Sequence, residues 1–189
     1  MFSNQEQYYM IQLARRAIEN YFVTNEKLKI NRDELLSKNL EKISSCFVTL
    51  HLDGKLRGCI GHTEPDEELY KDIIKNAVSA AFFDPRFLPL TESEYKQTEL
   101  EISVLSMPQK LEYTDCKDLL SKLRPSIDGI IIKQGDYKST YLPQVWKELS
   151  DGEDFLSSLC KKAGLASNAW QQDLDIFTYQ VEVFDENVI

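Results

Sequence analysis

Two side chains that could do chemistry stand two residues apart in the run Leu56-Arg57-Gly58-Cys59-Ile60-Gly61. A cysteine thiolate is a nucleophile, and a guanidinium beside it lowers the pKa of the thiol. Gly58 and Gly61 would let a substrate approach the backbone closely. The run therefore makes Cys59 a candidate catalytic nucleophile and Arg57 a candidate anion holder. The alternative is that the cysteine packs as a small apolar residue and that the glycines lie where another element crosses closely.

Arginine side chains near this run also have two roles open to them. Arg57 could bind the carboxylate or phosphate of a substrate, or it could form an internal ion pair, for which Glu101 and Asp84 are the candidates. Arg86 has the same choice, and there a structural tie that holds its own loop is favoured. If Arg57 and Arg86 converge, a substrate-binding site for a small anion gains support, with Arg86 and Glu101 as neighbours of Gly58 and Gly61.

Metal and cofactor sites are weakly indicated. Cys59 and His62 form a lone C-x-x-H, no second ligand pair accompanies them, and His51 is the one other histidine. A metal site built from protein ligands usually needs three or four such groups. Neither the dinucleotide fingerprint nor the nucleotide P-loop occurs. We therefore predict no metal and no cofactor.

Charge and composition limit the partners. Acidic residues outnumber basic ones by 31 to 22, the net charge is -9, and no Lys/Arg cluster stands out. Nucleic acid and anionic membranes are therefore poor partners. The four cysteines have no framework spacing, no apolar run is long enough to span a membrane, and residues 1–6 lack the features of a signal peptide. These features predict a cytoplasmic protein with free thiols.

The run lies in a predicted β-hairpin that turns at Asp53-Gly54, a strong hairpin signal. A two-residue loop would place Leu50 opposite Arg57. A three-residue loop from Leu52 pairs Leu50 with Leu56, Val48 with Gly58 and Cys46 with Ile60, and only this register gives one consistently apolar face. We predict the three-residue loop, with Arg57 and Cys59 on the opposite face beside Phe47 and Thr49.

Helical spacing of apolar residues, capping pairs such as Ser3 with Glu6, and alternation predict the other elements. They are helices at 4–24, from Asn31, from Thr63 through Phe82, at 117–123, from Pro143 and at 155–163, and strands at 99–106, 130–133, 137–142 and 176–184. Helices that separate hairpins and single strands predict an α+β fold with mainly antiparallel sheet. Two stretches that each combine a hairpin, a helix and a further strand suggest a duplicated unit within a two-lobed single domain, residues 1–189.

Six motifs in order resemble those of the AMMECR-one (AMMECR1) domain family, and the likeness covers roughly residues 8–184. They are Leu56-Arg57-Gly58-Cys59-Ile60-Gly61, Phe83-Asp84-Pro85-Arg86-Phe87-Leu88-Pro89-Leu90, Glu101-Ile102-Ser103-Val104-Leu105, Asp128-Gly129-Ile130-Ile131, Leu142-Pro143-Gln144-Val145-Trp146 and Lys162-Ala163-Gly164-Leu165. The chain is similar to the short prokaryotic form.

The resemblance implies a two-lobed α+β domain whose larger lobe contains both termini. The family has no established reaction. Its prokaryotic members are associated in genomes with a radical-SAM protein and a Memo-like relative of extradiol dioxygenases, which implies these two as partners. The hairpin motif is regarded as the functional site. It ends at Gly61, so the resemblance implies nothing about His62.

Together these observations favour a cleft at residues 56–61 that recognises a small anionic molecule or a modified chain end. If chemistry occurs there, Cys59 is the nucleophile or acceptor thiol, and whether the protein is an enzyme stays open. The alternative is a non-catalytic adaptor, in which the hairpin is architectural and an exposed surface binds a radical-SAM or Memo-like partner. The adaptor hypothesis expects an inert, buried Cys59 and an exposed apolar patch elsewhere.

Overall fold

The computed structural model describes residues 1–172 and 174–186. The chain divides into two compact units, one formed by Met1–Leu105 with the residues from Glu182, the other by Ser106–Val181. Each unit carries one four-stranded sheet, in which the described strand pairs are antiparallel. The predicted α+β class with antiparallel sheet is confirmed. Within the described ranges, no helix combines the length and apolar character needed to cross a membrane.

In the first unit, the N-terminal helix follows the prediction. Helix α1 spans Asn4–Thr24 and begins with the predicted capping box, in which Ser3 and Glu6 bond each other's backbone N–H. The predicted helix from Asn31 is a single 3₁₀ turn, Arg32–Glu34, and a second turn spans Lys38–Glu41.

Helix α2 spans Leu69–Phe82, so the predicted start at Thr63 is wrong. The Leu69 N–H donates to the Lys42 carbonyl, and Ile43 forms an isolated antiparallel bridge with Glu68. This pairing keeps the residues before Leu69 extended, and an extended backbone cannot take helical dihedral angles.

The first sheet has the order β2-β1-β3-β8. Its strands are β1 Ser45–Leu52, β2 Lys55–Gly61, β3 Thr98–Leu105 and β8 Val181–Asp185. Alternate residues of β1 and β3, among them Val48, Leu50, Leu100 and Ile102, are fully buried in one cluster with the apolar faces of α1 and α2. The short helix α3, Glu92–Tyr95, precedes β3.

The register of the β1–β2 hairpin differs from the prediction. The turn is the two-residue Asp53-Gly54, both with positive φ (52° and 70°), and Leu52 pairs with Lys55. The ladder then shifts by one residue, so that Leu50 lies opposite Gly58 and Val48 opposite Ile60. The predicted three-residue loop, with Leu56 opposite Leu50 and Gly58 opposite Val48, is therefore wrong. A β-bulge of this kind bends one strand and leaves one residue unpaired. The bulge allows the two-residue turn at Asp53-Gly54 and still keeps apolar residues opposite each other, because Ile60 pairs with Val48.

The second unit contains the sheet β4-β7-β5-β6 and two helices. Its elements are β4 Gln109–Lys110, α4 Cys116–Lys122, β5 Gly129–Gln134, β6 Tyr137–Tyr141, a 3₁₀ turn Pro143–Lys147, α5 Gly152–Lys162, a 3₁₀ turn Ala169–Gln171 and β7 Asp175–Tyr179. Trp146 stacks on Phe155 with ring centroids 3.8 Å apart inside the buried cluster of this unit. Trp146 and Trp170 are both buried.

The predicted single strand over residues 176–184 is wrong, because the segment forms two strands in two different sheets. The break falls at Gln180, whose N–H bonds the Ser106 hydroxyl and whose carbonyl accepts from the Ser106 N–H. The apolar alternation continues across the break, so the pattern carries no sign of the change of sheet.

Candidate functional site

Both glycines of the hairpin motif lie where a side chain does not fit. A Cβ on Gly58 would overlap the carbonyl oxygen of Ala80 in α2 and stand 3.1 Å from its carbonyl carbon. A Cβ on Gly61 would overlap the Cys46 carbonyl oxygen and stand 2.6 Å from the Phe47 Cα. Glycine at these positions is therefore explained by close packing of strand β2 against its neighbours, as the structural alternative expects.

Arg57 forms an internal ion pair, but its partner is neither of the two candidates named from sequence. Its Nε donates to Glu94 Oε1 at 3.1 Å and its Nη2 to Glu94 Oε2 at 3.2 Å. Nη2 also donates to the Leu88 carbonyl at 3.0 Å. The side chain is only 12% exposed. Most of its donor capacity is therefore used to join the hairpin, the loop at Leu88 and helix α3.

Arg86 ties its own loop to the hairpin motif. Its Nε and Nη2 donate to the two carboxylate oxygens of Asp84, at 2.9 and 2.6 Å. Nη2 also donates to the Cys59 carbonyl at 3.0 Å, and Asp84 accepts from the Cys59 N–H at 2.9 Å. Asp84 and Arg86 thus bond both backbone groups of Cys59, which is the structural tie that the sequence favoured.

The two arginines share one aromatic ring. The guanidinium carbons of Arg57 and Arg86 lie 5.7 and 5.5 Å from the centroid of Phe87, within the range of a cation–π contact. Arg57 and Arg86 therefore converge on the Phe87 ring, as an anion site would require. Each guanidinium, however, already faces its own carboxylate, so an incoming anion must compete with Glu94 or Asp84.

The ion pairs change the acidity of both carboxyl groups. Bonds from Arg57, followed by the N–H and hydroxyl of Thr91, lower the pKa of Glu94 to about 2. The Arg86 guanidinium, helped by the N–H of Cys59, holds the pKa of Asp84 well below its usual range. Both groups are therefore ionised at neutral pH, and neither is suited to donate a proton there.

Cys59 lies on the sheet face away from α1 and α2, as predicted. It pairs with Thr49, and the Thr49 hydroxyl donates to its Sγ at 3.3 Å. Thr49 pairs on its other side with Glu101, so the three residues form one row across the sheet, and Glu101 is separated from Cys59 by a strand. Cys59 is half-buried. Cys59 is therefore not the fully buried residue of the adaptor hypothesis, and within residues 1–172 and 174–186 its thiol has no basic side chain as a hydrogen-bond partner.

Two open cavities, of about 300 and 290 Å³, lie away from the hairpin motif. The first cavity belongs to the first unit and is lined by Lys27, Leu28, Lys29, Ile30, Glu67, Tyr70, Lys71, Ile74 and Lys75. The second cavity belongs to the second unit and is lined by Ser106, Met107, Gln109, Arg124, Asp128, Thr178, Tyr179 and Gln180. None of the predicted site residues lines either cavity. The cleft predicted around Cys59 stays a prediction.

Two features escaped the sequence interpretation. Glu94 is the carboxylate that pairs with Arg57, and its one sequence signal is the capping box that it forms with Thr91. The other feature is a group of potential metal ligands, His62, Asp66 and Asp72, just after the hairpin motif. Asp72 lies inside α2, so the chain pattern around His62 did not indicate it.

Comparison with known proteins gives a consistent family match. The AMMECR1 family model matches residues 11–184. A protein from Methanosarcina mazei is 36% identical over 178 residues, which cover 93% of this chain and 89% of that protein. A protein from Methanothermobacter thermautotrophicus is 36% identical over 180 residues, covering 94% and 93%. The crystal structure of an uncharacterized protein from Pyrococcus horikoshii is similar with a TM-score of 0.82 and 33% identity, covering 98% of this chain and 93% of that one.

Proposed function

This chain belongs to the AMMECR1 family, and we propose that it acts as a protein-recognition module whose contact surface is the loop Phe83–Leu90. The observation that carries the proposal is the use made of the two motif arginines. Both side chains hold this loop against the hairpin. Arg57 donates to Glu94 and to the Leu88 carbonyl. Arg86 donates to Asp84 and to the Cys59 carbonyl.

The fixed loop presents apolar side chains to solvent. Leu88 is 84% exposed and Phe83 is 59% exposed, whereas Leu90 is buried in the core. Its ends are held as well, because the Leu90 N–H donates to the Ala81 carbonyl. A rigid loop loses little conformational entropy on binding, so exposed apolar anchors on it favour association.

The chemistry of the partner follows from these groups. Leu88 and Phe83 suit an apolar pocket, and Arg86, which is half-exposed and has no described hydrogen-bond partner for its Nη1, suits a carboxylate at the pocket rim. We propose that a radical-SAM or Memo-like protein, the partners implied by the family resemblance, supplies this pocket.

The test measures binding of the purified radical-SAM and Memo-like proteins of the same host to the full chain by isothermal titration calorimetry. Leu88→Asp should weaken binding at least ~10-fold, because a charge would enter an apolar pocket, about 1.4 kcal/mol or more. Ile127→Asp, at an exposed isoleucine of the second unit, is the matched control and should bind like the wild type. The proposal is wrong if neither protein binds, or if Leu88→Asp binds as tightly as the control.

A second candidate is recognition of a small anion or a modified chain end at Cys59, with the thiol as the reactive group. The half-buried Cys59, and Arg86 Nη1, which has no described hydrogen-bond partner, favour it. The test compares the rates at which Cys59 reacts with iodoacetate, an anion, and with neutral iodoacetamide, using half-buried Cys116 as the internal reference. An anion-holding site raises the iodoacetate to iodoacetamide ratio of Cys59 above that of Cys116. Equal ratios would exclude this candidate.

A further inference from the structure

Three side chains of two chemical types meet directly after the hairpin motif. His62 and Asp66 lie between β2 and α2, and Asp72 lies in the first turn of α2. One potential ligand atom from each lies within 4.8 Å of the other two. His62 Nε2 is 2.8 Å from Asp72 Oδ1 and 3.7 Å from Asp66 Oδ1.

The backbone fixes which nitrogen of His62 faces the two carboxylates. Nδ1 lies 2.7 Å from the Glu64 carbonyl oxygen, and since a carbonyl only accepts, Nδ1 carries the proton of that bond. Nε2, when protonated, donates to Asp72 Oδ1 at 2.8 Å, and when it gives up that proton it presents a lone pair that a cation can take. A histidine that donates Nδ1–H to a backbone carbonyl and offers Nε2 is the arrangement found in metal-ligating histidines.

Asp72 is oriented in a similar way. Its side chain is fully buried, and its Oδ2 accepts from the Cys46 N–H at 2.9 Å, which leaves Oδ1 directed at His62. Two carboxylate oxygens and one imidazole nitrogen therefore lie within 4.8 Å of one another. All three are electron-pair donors, so only a proton or a cation between them makes the arrangement favourable.

We propose that His62, Asp66 and Asp72 bind one divalent transition-metal ion such as Mn²⁺, Fe²⁺, Co²⁺ or Zn²⁺. One imidazole with two carboxylates suits this class of ion, whereas Ca²⁺ and Mg²⁺ prefer oxygen ligands alone. Ligand atoms about 2.1 Å from such an ion stand ~3.0–3.4 Å apart in octahedral or tetrahedral geometry, which separations of 2.8 and 3.7 Å bracket. Water completes the coordination.

The arrangement also supplies the right charge. With a neutral imidazole the two carboxylates leave two negative charges, one of them on the buried Asp72, and a buried charge needs a compensating partner. Asp66 is 65% exposed, so it can move onto an entering ion without disturbing the core. The site thus has two fixed ligands and one adjustable ligand at the solvent side.

The experiment titrates the full chain with Co²⁺ and with Mn²⁺. We expect one ion per chain, a Co²⁺ visible spectrum without the thiolate-to-metal charge-transfer band, and a melting temperature that rises with metal concentration. His62→Gln should weaken binding at least ~10-fold, and so should Asp66→Asn, which changes an exposed side chain and leaves the apo fold intact. His51→Gln, at the other histidine, is the matched control and should bind like the wild type.

Three results would overturn the proposal. The first is that neither Co²⁺ nor Mn²⁺ binds saturably at about one ion per chain. Another is unchanged affinity in Asp66→Asn and His62→Gln. The third is a thiolate charge-transfer band that disappears in Cys59→Ser, since the ion would then sit at the hairpin cysteine instead.

Discussion

The Asp84 carboxylate and the Arg86 guanidinium form a two-point ion pair whose members differ sharply in burial. Asp84 is almost fully buried, whereas the Arg86 side chain is 52% exposed. The anion therefore depends on its partner and on the N–H groups of Cys59 and Arg86, while the cation can turn to water. Buried ions left without a partner are costly, and exposed ones are not.

This asymmetry predicts that Arg86→Gln destabilises the protein more than Asp84→Asn. We expect Arg86→Gln to lower the free energy of unfolding by about 2 kcal/mol, because it leaves a buried carboxylate uncompensated. Asp84→Asn should lower it by about 1 kcal/mol, because the asparagine carbonyl still accepts from Cys59. Both figures are reduced for solvent screening. Urea unfolding of both variants measures the difference.

Arg124 and Asp128 provide a matched second case in the second unit. They form the same two-point pair, again with a buried aspartate and a half-exposed arginine. Arg124→Gln should likewise cost more than Asp128→Asn. A larger cost for the aspartate variant in both pairs would contradict the explanation from burial.

Gly58→Ala should be strongly destabilising, because the new methyl group meets the backbone of Ala80, which cannot move away by a change of rotamer. Overpacking of this kind costs about 3 kcal/mol, at the upper end of its usual range. The control is Gly54→Asn at the hairpin turn, where φ is positive, nothing lies within 4 Å of a Cβ, and asparagine tolerates the conformation. Thermal and urea unfolding should show a clear loss for Gly58→Ala and less than ~1 kcal/mol for Gly54→Asn. Equal losses would mean that the approach of α2 is not what requires glycine.

Local patterns predicted local structure well. The capping box at Ser3 and the turn at Asp53-Gly54 involve residues close in sequence, and both are present. Asp84 and Arg86 are two residues apart, and their ion pair agrees with the structural role that the sequence favours for Arg86. In each case the interaction energy is set by neighbours along the chain, so the sequence contains the necessary information.

The failures have a common physical origin in tertiary contacts. Arg57 pairs with a carboxylate 37 positions away, which no spacing rule selects. The bulge after Leu50 reconciles the two-residue turn with the apolar pattern, and it places Gly58 opposite Leu50, where α2 packs closely. At the strand break, Gln180 bonds Ser106, which lies 74 positions away along the chain.

The four cysteines should separate into two classes towards N-ethylmaleimide. Cys46 and Cys160 are fully buried, and Cys59 and Cys116 are half-buried. Burial, with Asp72 nearby, also raises the pKa of Cys46 well above its usual value, which lowers the fraction of thiolate further. Peptide mapping by mass spectrometry should show Cys46 and Cys160 reacting at least ~100-fold more slowly in the native protein, since they need unfolding to react. All four should react alike in urea, and fast native labelling of Cys46 would contradict the packing described for β1.

Glu94→Gln should give a stability loss that depends on pH. The pKa of Glu94 is lowered from 4.5 to about 2, chiefly by Arg57, so the ionised carboxylate stabilises the folded state at pH values above 4.5. That contribution declines as the pH falls from 4.5 through about 2, where the folded protein also becomes protonated. At neutral pH we expect a loss of about 1 kcal/mol, a value discounted for solvent screening because Glu94 is partly exposed. Urea unfolding at pH 7, 4 and 3 should show the wild type and variant converging. Glu92→Gln, in the same helix but without a described side-chain partner, is the control and should show no such dependence on pH. If the stability loss of Glu94→Gln stayed constant down to pH 3, the Arg57–Glu94 pair would not be the source of that loss.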